Sequence, residues 1–210
     1  CIGEEHSNPI DHRIELEVAT HLFPLWHSGA LGLEMIQRPF QGVLDDFAAG
    51  RIDATALQAR VGWEERWGFD FGFYAPTIAA ALAAHAALIA LDAPTELTKQ
   101  VAHRGLASLS VDDRAHLPEL DLANAQHRAW FDALMADMDG GSGAHGSADG
   151  GPSADDIYAV QVIWDETMAD TAAKWLAAHP DGHMIILAGS GHCHDTAIVG
   201  RMFRRGITGV

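Results

Sequence analysis

The sequence predicts an α/β fold, with a mainly parallel central sheet flanked by helices and a smaller helical subdomain. Three observations predict it. Short apolar runs suited to strands alternate with long Ala-rich stretches suited to helices, the pattern of parallel strands joined by helical crossovers. Polar, glycine-containing signatures follow directly after several of those runs. Two stretches, about 37–75 and 111–178, read as helical with no strand inside them.

Taken in order, the strand runs are 1–3, 30–34, 87–92 and 184–188, with a weaker one near 104–109. Helical patterns cover 9–26, 40–49, 53–67, 74–86, 94–102, 119–138 and 154–178. Asn8 suits the cap of the first helix and Pro9 its first turn, where a missing N–H costs nothing. The segment 139–156, rich in Gly and Ser, cannot bury apolar area and reads as a mobile linker, with His145 a solvated loop histidine. The 210 residues suit one domain, with its sheet core at about 1–36, 76–110 and 180–210.

A net charge of −16 repels phosphate backbones and anionic lipid, which excludes nucleic acid as a partner. There is no run of about 18 apolar residues to span a membrane, and no charged-then-apolar leader precedes the first strand. Thirteen histidines are an unusual number for this length, and histidine is the commonest metal ligand and a frequent haem ligand. Cys1 and Cys193 are the two cysteines. With the first strand running away from Cys1 and Cys193 adjoining the far strand ends, the two are expected some 15 Å apart, at roughly 3.3 Å per residue. They are therefore expected to be unpaired thiols. A start inside the sheet also argues against a lipidated Cys1.

Three signatures follow strands: "GEEH" at 3–6, "LGLEM" with Glu34, and "AGSGH" at 188–192. In open parallel sheets the ligand crevice lies outside the carboxyl ends of the strands. Gly3 to His6 and Gly189 to His192 share the spacing Gly-x-x-His, and a glycine at a strand exit permits a sharp turn. Glu4 or Glu5 with His6, Glu34 and His192 then offers two imidazoles and one or two carboxylates, suited to a divalent metal such as Zn or Mn, or to water activation. These groups would otherwise cap the first helix and pair with Arg13 or Arg38. In 154–178, Ile157, Val160, Trp164, Met168 and Trp175 form an apolar stripe. Tyr158, Gln161 and Asp165 form a polar row beside it, a candidate pocket wall.

The segments "GEEHSNPIDHR", "LGLEMIQRPFQGVLDDFAAG", "YAPTIAAAL", "LIALDAP", "AVQVIWDETMA" and "ILAGSGH" resemble, in order and from end to end, the motifs of the ChaN-like haem-uptake proteins of the Tiki superfamily. The resemblance implies an α/β core with a helical subdomain, an outer-membrane lipoprotein or other cell-envelope protein of iron uptake, and haem held between two protomers through tyrosine. The axial donor would be Tyr158 or Tyr74, with Gln161 and Asp165 beside Tyr158. After the second Gly-x-x-His the chain reads "CHDTAIVGRM", without the family's proline-containing turn or a tyrosine, so His194 or Cys193 could replace tyrosine. Tyr158 is the favoured donor, because it opens its helix where the dipole would favour a phenolate. Other Tiki branches are metal-dependent hydrolases with paired Gly-x-x-His motifs and a glutamate. That implies Glu4, His6, Glu34 and His192, with Arg38 a fourth member, as an alternative catalytic and metal-binding set.

Overall fold

The computed structural model describes residues 1–138 and 152–209. Most of the linker expected at 139–156, with His145, lies outside the described residues. Four strands form one all-parallel sheet: β1 (Ile2–Glu4), β2 (Gly29–Gln37), β3 (Ala87–Asp92) and β4 (His183–Gly189), in the order β1-β4-β2-β3. The first and last strands of the chain are therefore neighbours, with Gly3 opposite Ala188 and Glu4 opposite Gly189.

The helices are α1 (Pro9–Leu22), α2 (Gln41–Ala48), α3 (Ala54–Val61), α4 (Trp63–Arg66), α5 (Phe71–Ala83), α6 (Thr95–Arg104), α7 (Val111–Ala115), α8 (Ala125–Met138), α9 (Ala154–Ala178) and α10 (Ile198–Arg204). Local chemistry sets their ends. Asn8 Oδ1 accepts from Ile10 N at 3.0 Å, and Pro9 opens α1. One helix expected over 53–67 is two, because Gly62 adopts φ +66° between them and ends the first in the left-handed conformation that glycine tolerates. The expected 119–138 helix starts at Ala125, where Asn124 Oδ1 accepts from the N–H groups of Gln126 and His127. The weak strand at 104–109 is absent. Gly105 and a 3-10 turn at Leu106–Ser108 occupy that stretch.

One face of the sheet packs Leu31, Leu33, Ile36 and Leu187 against Ala19, Phe23, Leu57, Tyr74 and Ile78 from the helices between 9 and 83. The other packs Ile186, Ala188 and Leu91 against Met168, Ala172 and Met202 of α9 and α10. Burial on both faces explains why β2 is apolar for most of its length.

The cysteines contradict their expectation: Cys1 and Cys193 form a disulfide, with Cα atoms 5.5 Å apart. The 3-10 turn Ser190–His192 reverses the chain after β4 and carries it back alongside β1. A Cβ at Gly3 would lie 3.3 Å from the Cβ of Cys193 and 2.9 Å from the Cα of Ser190. Assuming that the chain continued forward from β4 put the thiols too far apart. The same contacts show why Gly3 is glycine: close backbone approach. Gly3→Ala should therefore destabilise the protein by about 1–3 kcal/mol, read as a lower urea midpoint at unchanged slope.

Candidate functional site

The strand ends converge on a cavity of about 370 Å³ lined by His6, Glu34, Asp92, His192, Arg66, Lys99, Trp67, Phe69 and Trp164, with Thr95 and Thr98. His6 follows β1, His192 follows β4, Glu34 lies in β2 and Asp92 ends β3, so all four strands contribute. A Cβ on Gly189 would lie 2.9 Å from His6 Cε1. The glycines of both Gly-x-x-His motifs thus serve close approach, and neither turns through positive φ.

The two histidines are chemically different. His6 Nδ1 is 2.7 Å from Glu4 Oε1, so Nδ1–H donates and Nε2 keeps its lone pair; its side chain is 27% exposed. Its ring lies 4.5 Å from that of Trp67 and 4.8 Å from that of Phe69. His192 is held at both nitrogens, with Nδ1 2.6 Å from Asp165 Oδ1 and Nε2 3.2 Å from Glu34 Oε1. Burial works against its charge, but the Glu34 and Asp165 carboxylates raise its pKa well above the ordinary histidine value. With a carboxylate oxygen at each nitrogen, His192 is placed to donate to both Asp165 and Glu34. Glu34 is equally committed, its Oε2 accepting from Gly189 N at 2.6 Å. Asp92 has its carboxyl raised well above the usual range by burial and by Glu34.

Behind His192 stands a buried polar network from α8, α9 and α10. Asp165 faces His192 on one side, and on the other its Oδ2 lies 3.0 Å from His127 Nε2. Burial opposes the Asp165 charge, yet His127 and His192 hold its pKa below the ordinary value. Arg201 can only donate to His127 Nδ1, at 3.1 Å, so Nδ1 is an acceptor. Tyr158 OH lies 3.2 Å from the same nitrogen. Arg201, Arg204 and Arg205 also converge on buried Glu166. Gln161 Nε2 reaches Gly191 O at 3.3 Å and lies 3.2 Å from His192 Nδ1.

In the row Tyr158, Gln161 and Asp165, the last two back His192 and Tyr158 meets His127, and none of the three lines the cavity. Tyr158 is 3% exposed, and burial raises its pKa despite Arg201 and Arg128, the reverse of a dipole-favoured phenolate. Tyr74 is fully buried and donates to Glu4 Oε1 at 2.7 Å; burial and that carboxylate raise its pKa. His194 packs at a tilt against Trp130 with ring centres 4.1 Å apart, and burial lowers its pKa. Arg38 is outside the cavity lining, 3.7 Å from Asp170. Cys193, in the disulfide, has no thiol to give iron.

A family model for "Haem-binding uptake, Tiki superfamily, ChaN" matches residues 1–202. The chain belongs to the ChaN-like haem-binding family. A solved structure described as cofacial heme binding to ChaN of Campylobacter jejuni aligns with TM-score 0.71 over 97% of this chain and 74% of that one. Their identity is 13%, so the likeness speaks for the ChaN fold alone. No curated protein matches.

Sequence reasoning missed several residues of this ChaN-family site. Arg66 ends α4, and Trp67 and Phe69 follow it before α5, where nothing local marks them as strand-end partners. His127 gave no signal beyond being a histidine near the start of a helix. A second cluster was also missed: Glu4, His12 and Glu15 each place a donor atom within 4.8 Å of the others. Among the described residues, His6, Glu34 and His192 do not meet that condition.

Proposed function

We propose that this chain binds haem in the crevice at the carboxyl ends of its strands, with His6 as the axial donor, and that it serves haem or iron uptake in the cell envelope. The observation that carries the reading is the Glu4–His6 pair. A metal-ligating histidine characteristically donates its second N–H to a carboxylate, which fixes the tautomer and strengthens the donor. Here that bond leaves Nε2 free beside the cavity. Trp67, Phe69 and Trp164 offer apolar walls to a flat macrocycle, and Arg66 and Lys99 offer cations to its carboxylates. Bound there, haem would supply an iron centre able to carry charge or a further ligand. The family description and the cofacial heme binding described for the Campylobacter protein support the ligand class.

Tyrosine ligation is the version the side chains support least. Both phenols are buried and burial raises both pKa values, and Tyr74 also donates to Glu4, so each resists losing the proton a ferric tyrosinate must lose. A homodimer belongs to the proposal as well: two protomers stacking exposed haem faces would remove apolar area worth roughly 25 cal/mol per Å². The test is a hemin titration followed by absorbance. Tyr158→Phe and Tyr74→Phe should leave the ferric spectrum and affinity as in the wild type. Loss of binding in either, with an unchanged circular dichroism spectrum, overturns the choice of donor.

One observation favours a second reading, hydrolysis. A histidine with a free lone pair and a histidinium line one cavity, the arrangement of a general base opposite a general acid. Turnover of an ester or amide panel that disappears in His6→Ala would support it.

A further inference from the structure

Beneath the crevice, three side chains present electron pairs to one point. His12 Nε2 lies 3.0 Å from the carbonyl oxygen of His6, which only accepts, so Nε2 carries the hydrogen and Nδ1 faces inward. Nδ1 lies 3.1 Å from Glu15 Oε2 and 3.5 Å from Glu4 Oε2. Glu4 is 2% exposed, His12 5% and Glu15 0%. Among the described residues, Glu4 Oε2 and Glu15 Oε1 have no hydrogen-bond partner. Burial and the neighbouring Glu4 push the pKa of the Glu15 carboxyl up to about 10, so at neutral pH the pair holds a proton, and a divalent cation there would take that proton's place.

We propose that Glu4, His12 and Glu15 form a buried binding site for one divalent cation of the zinc class, separate from the crevice. The donor set, one nitrogen and two carboxylates, is of the kind zinc takes. Bonds of about 2.0–2.2 Å in a tetrahedron put neighbouring donors roughly 3.3–3.6 Å apart, close to the 3.1 and 3.5 Å from His12 Nδ1 to the two carboxylates. Two of the three donors have outer support: His12 from the His6 carbonyl, and Glu4 from Tyr74 OH and His6 Nδ1 on its other oxygen. His12 also stacks on Phe73, with ring centres 4.6 Å apart. Outer partners of this sort are what hold first ligands in place. Glu4 is then shared, one oxygen on the ion and the other on His6, so the ion stiffens the residue that positions the crevice imidazole. The site connects β1 to α1, and occupancy ties the edge strand to the first helix.

The experiment uses the full chain, stripped with chelator and titrated with Zn²⁺ alone, with bound metal measured by elemental analysis after desalting and stability by thermal melting. The expected result is one zinc per chain and a raised Tm, both retained in His192→Ala, while His6→Ala, which removes an outer partner of Glu4, weakens zinc binding by no more than about a hundredfold. Glu15→Gln, close in shape and neutral, should weaken zinc binding by more than about a hundredfold, the upper range for losing an outer partner. Its metal-free Tm serves as the folding control. No retained zinc, an unshifted Tm, or Glu15→Gln binding zinc as the wild type does would each overturn the site and leave a shared proton as the cation there. Zinc lost in His6→Ala but kept in Glu15→Gln would move the ion to the crevice. Neither result bears on hemin binding, so the two proposals fail separately.

Discussion

Asp165→Ala should cost about 3–5 kcal/mol of stability, the range for removing one partner from a buried ionic network. Asp165 is fully buried, and His192, His127 and Arg201 all turn toward its carboxylate. Deleting it leaves the imidazolium of His192 with Glu34 alone, and leaves Arg201 partly uncompensated in the core. Denaturant unfolding at pH 7 measures the loss; a change below about 1 kcal/mol would mean that water already reaches the network. The pH profile follows from the shifts. Asp165 has a folded pKa below its unfolded one, so its contribution is present above about pH 4 and is lost as pH falls through the folded value. His192 is the opposite case. Its raised folded pKa makes its contribution complete below about pH 6.5 and lost as pH rises through the folded value. Wild type should therefore lose stability at both ends, and Asp165→Ala should flatten both limbs.

Reducing the Cys1–Cys193 bridge should have the second large effect. The bond closes nearly the whole chain, with a sequence separation of 192, and cross-linking so long a loop restricts the unfolded ensemble by about 5 kcal/mol in the chain-entropy account. The native state has little to lose locally, because β1 is held by its pairing with β4 and by Glu4 within the buried cluster. Reductant, or the double change Cys1→Ser with Cys193→Ser, should lower the urea midpoint markedly while the circular dichroism spectrum of the folded form stays the same. Equal midpoints with and without reductant would show that the thiols do not pair in solution.

How far the sequence could be read follows from where each signal lies. Strand ends were legible because each carries its polar signature within a few residues of an apolar run. His6, Glu34 and His192 accordingly meet at one cavity. The row Tyr158, Gln161 and Asp165 was legible as a row, since helical spacing defines a face, but spacing alone does not say what a face meets. It meets His192 and His127, and that contact makes Tyr158 a buried phenol where an accessible phenolate was expected. The disulfide was misread because a reversal over Ser190–His192 has no local mark beyond a glycine. Helix α10 was missed for a similar reason, its short apolar stripe being lost beside three arginines that turn inward to Glu166. Arg66 and Trp67 come from distant sequence and could be assigned to the crevice only once the chain was folded.

Titrating hemin into wild type and His6→Ala in parallel, and comparing the absorbance spectra, decides whether His6 holds haem in the strand-end crevice. The account predicts saturable binding by the wild type. In His6→Ala it predicts a Soret band shifted in position and an affinity at least tenfold weaker, about 1.4 kcal/mol or more, with Tyr158→Phe matching the wild type. Identical spectra and affinities for wild type and His6→Ala would contradict it.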